Sequence, residues 1–157
     1  MRRFALLWLM LLAAAQARGA DPCPLIAASD ESVVVELVVA DTDSTLVAGV
    51  TLEVDHPEKK VGLEGEGIHV PKSAITGAPT DAVASANDLG NRVRVVIARP
   101  GELPTNKPLL TLHFARCTGA PSVKTADFSC TVVTASDPSA NRIASGVGCA
   151  VTRVEAK

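Results

Sequence analysis

The stretch Val33-Val34-Val35-Glu36-Leu37-Val38-Val39-Ala40 decides the fold class. Val33, Val35, Leu37 and Val39 make one wholly apolar face, and Val34, Glu36, Val38 and Ala40 make a mixed one. A period of two belongs to a half-buried strand, because successive side chains on a strand point to opposite faces. The same beat recurs three times. Val50, Leu52 and Val54 alternate with Thr51, Glu53 and Asp55; Val93, Val95 and Ile97 with Arg92, Arg94, Val96 and Ala98; Leu110, Leu112 and Phe114 with Thr111, His113 and Ala115.

Weaker strands are expected over Lys60–Gly65, Ala82–Asn87, Asp127–Ala135, Arg142–Gly146 and Gly148–Val154. Turn residues separate them: Asp41-Thr42-Asp43-Ser44, His56-Pro57, Asp88-Leu89-Gly90-Asn91, Arg99-Pro100-Gly101 and Asp137-Pro138-Ser139-Ala140-Asn141. Nine short strands at this spacing, with no long helical pattern, point to an all-β antiparallel sandwich. A chain of 157 residues allows one such domain and hardly two.

The first 20 residues are read apart from the rest. Arg2 and Arg3 precede the apolar run Phe4–Ala15, and small residues follow to Ala20. This is the pattern of a secretory signal peptide, with Ala15-Gln16-Ala17 as the best cleavage match, and it is short for a membrane span. The expected layout is therefore a signal peptide over 1–20 and one domain over 21–157, secreted or periplasmic. Removing 1–20 takes away three arginines and no acid, leaving 12 Lys+Arg against 17 Asp+Glu, a net charge of −5. With no basic run longer than Lys59-Lys60, the footprint of a nucleic-acid or anionic-membrane partner is missing.

All four cysteines, Cys23, Cys117, Cys130 and Cys149, lie after the signal sequence, and an even number in an exported chain reads as two disulfides. Zinc would call for close pairs, whereas the two nearest here are Cys117 and Cys130. Three connectivities are open, and a local reading pairs Cys130 with Cys149 across a hairpin.

No catalytic constellation emerges. His113 falls on the outward phase of its strand, His56 and His69 lie in or near turns, and all three read as surface imidazoles. No Gly-x-Ser-x-Gly elbow occurs, and Gly62–Gly67 lacks the Lys-Ser/Thr of a phosphate loop and reads as a strand end. Asp41 and Asp43 form an Asp-x-Asp that could contribute to a Ca²⁺ site, although such a pair is more often an Asx turn. No cofactor, metal or catalytic residue is assigned. Arg92 and Arg94 read as solvated strand surface.

Several stretches resemble the cohesin family. Leu46-Val47-Ala48-Gly49-Val50-Thr51-Leu52-Glu53-Val54-Asp55-His56-Pro57 resembles its second strand, a hydrophobic-Ala-Gly step leading into an alternating run. Asn91–Ala98 resembles its fifth strand and Pro108–Phe114 its sixth. Phe128-Ser129-Cys130, Asn141-Arg142-Ile143 and Gly146-Val147-Gly148-Cys149 look like a cysteine-containing bacterial variant. The likeness runs over roughly residues 30–155.

The resemblance implies a nine-stranded jelly-roll sandwich with sheets ordered 8-3-6-5 and 9-1-2-7-4. It implies a non-catalytic module whose partner is another extracellular protein, of the dockerin kind, bound through a sheet face. The related carbohydrate-binding modules give the alternative, a polysaccharide ligand and a place in polysaccharide breakdown. Sugar platforms are usually exposed aromatics, and here only Phe114 and Phe128 remain after residue 20, both on inward phases. The implied strand order also bears on the cysteines. It sets the family's strands 7 and 9, taken to carry Cys130 and Cys149, too far apart in one sheet to be bridged. The pairing it implies is Cys117–Cys130 and Cys23–Cys149.

Overall fold

A computed structural model describes residues 23–27, 30, 32–43, 45–65 and 68–157. The expected signal peptide over 1–20 lies outside the described residues. The strands are β1 (Ser32–Asp41), β2 (Gly49–Asp55), β3 (Val61–Gly62), β4 (Ile75–Thr76), β5 (Val83–Asp88), β6 (Arg92–Ala98), β7 (Pro108–Arg116), β8 (Ser129–Ser136) and β9 (Val147–Ala156). β3 and β4 are two-residue ladders. The helical elements among the described residues are two single 3₁₀ turns, Lys72–Ala74 and Thr125–Asp127.

The strands form two antiparallel sheets, one ordered β5-β6-β2-β8 and the other β3-β7-β1-β9, with β4 also paired to β7. The period-two residues meet between them. Val33, Val35, Leu37, Val39, Leu52, Val54, Val93, Val95, Ile97, Leu112 and Phe114 are all fully sequestered from solvent. A strand with one apolar face buries it only against another such face, so four strongly alternating strands dictate two layers. Arg142–Gly146 does not form the expected strand. Among the described residues it meets β8 through an isolated bridge between Arg142 and Ser136, and the left-handed Gly146 (φ 83°) precedes β9.

The disulfides join Cys23 to Cys117 and Cys130 to Cys149, which overturns the pairing implied by the cohesin resemblance. Cys130 lies on β8 and Cys149 on β9, edge strands of opposite sheets rather than strands of one sheet. Each pairs in register with a core valine, Cys130 with Val54 and Cys149 with Val39, so both point between the layers. Their Cα atoms stand 5.6 Å apart, well inside bridging range. The local reading of these two cysteines is therefore the correct one, although the bridge crosses between sheets instead of spanning a hairpin.

At the other site the N-terminal segment runs beside the end of β7. Ile26 N–H donates to the Arg116 carbonyl and Thr118 N–H to the Pro24 carbonyl, both at 2.8 Å. Leu25 pairs with Cys117, and this brings Cys23 to 5.5 Å (Cα to Cα) from Cys117. Two disulfides fit an oxidising extracellular environment. Among the described residues no helix is long and apolar enough to cross a membrane.

Candidate interaction face

The outward side of β5-β6-β2-β8 is built in rows by the strand register. Asn87, Arg94, Glu53 and Thr131 form one row, and Arg92, Asp55 and Ser129 the next. In these rows the charges neutralise one another. Arg92 Nε donates to Asp55 Oδ1 at 2.6 Å and its Nη1 to Glu53 Oε2 at 2.9 Å. Arg94 Nε donates to Glu53 Oε1 at 3.0 Å, and Ser129 Oγ to Asp55 Oδ2 at 3.1 Å. The Arg92 hydrogen bond holds the Asp55 carboxyl below the usual aspartate range, and Asp55 in turn raises the Arg92 guanidinium. Arg92 and Arg94 are thus paired members of a cross-strand ladder rather than freely solvated charges, though a ladder this exposed adds little to stability.

The remaining rows carry no charge. Val83, Ala98, Gly49 and Ser136 lie abreast, as do Ser85, Val96, Thr51 and Thr134. Val83 is 76% exposed and Val96 42%, high for branched apolar side chains. Val133, the residue skipped where the β2–β8 register shifts, is 41% exposed.

Gly49, Thr51, Val96 and Ala98 floor a groove of about 340 Å³, with Ala140 and Arg142 on its wall. Gly49 keeps the floor low, since a Cβ there would stand 2.8 Å from Ser136 Oγ. One carboxylate organises the wall. Asp137 Oδ1 accepts N–H bonds from Ser139 (2.9 Å) and Asn141 (2.8 Å), and Oδ2 accepts from Asn141 Nδ2 (3.0 Å). These bonds, the Asn141 side chain first, hold the Asp137 carboxyl below its usual range. Ala140 takes a left-handed conformation (φ 62°) at the tip, and Ile143 N–H returns to the Ala135 carbonyl at 2.9 Å. Arg142 has no side-chain hydrogen bond or ion pair among the described residues.

The histidines divide. His69 is exposed and bridges to Asn87. His113 is half-buried and shares a 2.8 Å hydrogen bond with Thr76 Oγ1, and burial first, then the Lys157 charge, lowers its pKa. His56 is no surface imidazole. It is 6% exposed, with its ring 5.0 Å from that of Phe114, which in turn lies 5.6 Å from Phe128. The turn reading of His56-Pro57 was right about the backbone, but the side chain continues the inward phase of β2. Both ring nitrogens are buried and have no hydrogen-bond partner among the described residues. Burial pushes the pKa down, against the opposing pull of Asp88, Glu58, the Gly90 backbone and Asp55.

Asp41 and Asp43 form the Asx turn, with Asp43 N–H donating to Asp41 Oδ1 at 3.0 Å. Asp43 also packs its carboxylate over Gly146, where a Cβ would collide with it. No cluster of three or more His, Cys, Asp or Glu residues that could hold a metal occurs among the described residues.

Fold and site together define an antiparallel β-sandwich with one sheet face that is partly apolar and uncovered by the described residues. No family model, curated protein or solved structure matches the chain.

Proposed function

We propose that this chain is a secreted, non-catalytic binding module of cohesin-like type that recognises another extracellular protein through the outward face of β5-β6-β2-β8. The observation that carries this reading is the exposure of Val96 on the floor of a small-residue groove, with exposed Val83 opposite Ala98 at its edge, on a face where the strand arginines Arg92 and Arg94 are paired. Apolar surface gathered in one place, with polar residues beside it, is typical of a surface that meets a partner.

The strand order parallels the cohesin-like one only when each resembling stretch moves up one place, β2 to third, β6 to sixth and β7 to seventh: β8-β2-β6-β5 then parallels 8-3-6-5, and β9-β1-β7-β4 parallels 9-1-2-7-4 with β1 serving for the first two strands. On the places that the sequence likeness gives them, fifth and sixth, β6 and β7 would be neighbours, and they lie in different sheets. The polysaccharide alternative ranks second because Phe114 is fully buried and Phe128 6% exposed, leaving neither ring to stack on a sugar.

The test is affinity capture from the secreted proteins of the source organism, using the disulfide-bonded protein and its Val96→Asp variant. A partner held by the first and lost by the second supports the reading. Retention of that partner by Val96→Asp, or retardation of the protein on cellulose, xylan or chitin gels, overturns it.

A further inference from the structure

We infer that the groove beside the Asp137 loop takes an aliphatic segment of a partner polypeptide carrying an Asp or Glu side chain, whose carboxylate pairs with Arg142. The inference rests on the proposed use of this sheet face and specifies what the face reads.

Three features lead to it. Size comes first: about 340 Å³, floored by Gly49, Thr51, Val96 and Ala98, suits a few aliphatic side chains and is at the low end for a ligand site. Charge comes second. The arginines elsewhere on the face, Arg92 and Arg94, are already bound to Asp55 and Glu53, whereas Arg142 on the groove wall has no side-chain partner among the described residues. A guanidinium offers five N–H donors in a rigid fork that fits a carboxylate bidentately, and exposed Arg142 presents that fork at the groove's edge. The protein itself is acidic, with a formal net charge of −2, so an unpaired cation at an apolar groove selects locally against the overall charge.

Third is preorganisation. The Asp137 carboxylate ties down Ser139 and Asn141, and backbone bonds flank Arg142 on both sides: Asp137 N–H to the Asn141 carbonyl at 3.0 Å, and Ile143 N–H to the Ala135 carbonyl at 2.9 Å. The wall is built before a ligand arrives, so little ordering entropy is lost on binding.

The probe is a library of displayed 12-residue peptides with both ends fused to the scaffold, so that no free C-terminal carboxylate is offered. Selection on the disulfide-bonded protein should enrich Asp or Glu next to Val, Ile or Leu. For a selected peptide measured by fluorescence anisotropy, replacing its acid with the amide should weaken binding about tenfold. Arg142→Glu should prefer the same peptide with Lys in place of the acid, and Val96→Asp should bind neither. Peptides sensitive to Val96→Asp but indifferent to their own acid and to Arg142→Glu would overturn the inference and leave the proposed face standing. Failure to enrich any peptide, or enrichment of peptides insensitive to Val96→Asp, would overturn the inference and count against the face as well.

Discussion

The two outward faces of the sandwich share a strand chemistry and differ in finish. On β3-β7-β1-β9 the outward residues at one end are nearly sealed: Ser32 is 8% exposed, Val34 9% and Ala115 0%. Gly62, which pairs with Ala115, lies under the Leu25 side chain, and the disulfide from Cys23 to Cys117 pins the segment carrying Leu25. On β5-β6-β2-β8 the corresponding valine, Val96, is 42% exposed, and among the described residues no chain segment lies over it. Alternation of side chains makes every strand two-faced, and what the chain later lays across the outer face decides whether that face is structural or free for a partner.

The largest expected effect breaks this contrast at its fastening. Replacing Cys23 and Cys117 with serine removes a link with a sequence separation of 94, against 19 for Cys130 and Cys149. Loop closure alone gives losses of about 4.7 and about 3.2 kcal/mol respectively. Denaturant midpoints of the two double-serine variants should therefore rank with Cys23/Cys117 as the worse loss. The N-terminal segment of that variant should also become the earlier site of proteolytic nicking. Equal losses would mean that loop length does not set the ranking and that the Cys130–Cys149 bridge contributes more than its closure entropy. Non-reducing peptide mapping should give Cys23–Cys117 and Cys130–Cys149, and no other pair.

A smaller effect sharpens the contrast. Val34→Asp places a charge where almost no solvent reaches and should cost about 3 kcal/mol or more. Val96→Asp, the same chemistry on the open face, should cost about 1 kcal/mol, the strand-propensity difference between Val and Asp. Comparable losses in chemical denaturation would show that the faces are energetically alike, and the case for an open face would fall.

The inner layers were legible in the sequence and the outer surfaces only in part. Val33, Val35, Leu37 and Val39 announced their burial because period two admits no other arrangement. The same count put Thr51, Glu53, Arg94 and Val96 outward, but register is a pairing between distant segments, so it could not show Glu53 beside Arg94. The groove wall was half legible. Asp137–Asn141 read as a turn, yet Arg142 read as the start of a strand, since nothing local says that one carboxylate gathers the loop. The cysteine pairing implied by the family likeness failed because it placed Cys130 in the wrong layer. His56 was misread for a related reason: a His-Pro pair signals a turn, and sequence alone does not show Phe114 of the opposite sheet waiting beneath it.

The smallest effect depends on pH and separates two neighbours at the end of β2. Asp55 points outward and His56 inward, and both have lowered pKa values for opposite reasons. Arg92 stabilises the charged form of Asp55, whereas burial disfavours the charged form of His56. Above the ordinary histidine value of 6.5 the imidazole is neutral in both folded and unfolded chains and stability does not change with pH on its account. As pH falls below 6.5 the unfolded chain takes up the proton first, so stability declines until the folded pKa is reached and then levels. The Asp55 contribution is intact throughout that window. It is lost only at lower pH, below the ordinary aspartate value of 3.8 and through the folded one. His113, also lowered, adds to the upper step and is held constant by making both variants in a His113→Gln background. In that background His56→Phe should flatten the decline of the urea midpoint below pH 6.5 while keeping the acid-limb loss. The slope is the readout, so any repacking cost of the larger ring against Phe114 cancels. An unchanged slope would mean that His56 takes up its proton as readily in the folded chain as in the unfolded one, and that the ring does not form a dry contact between the two sheets.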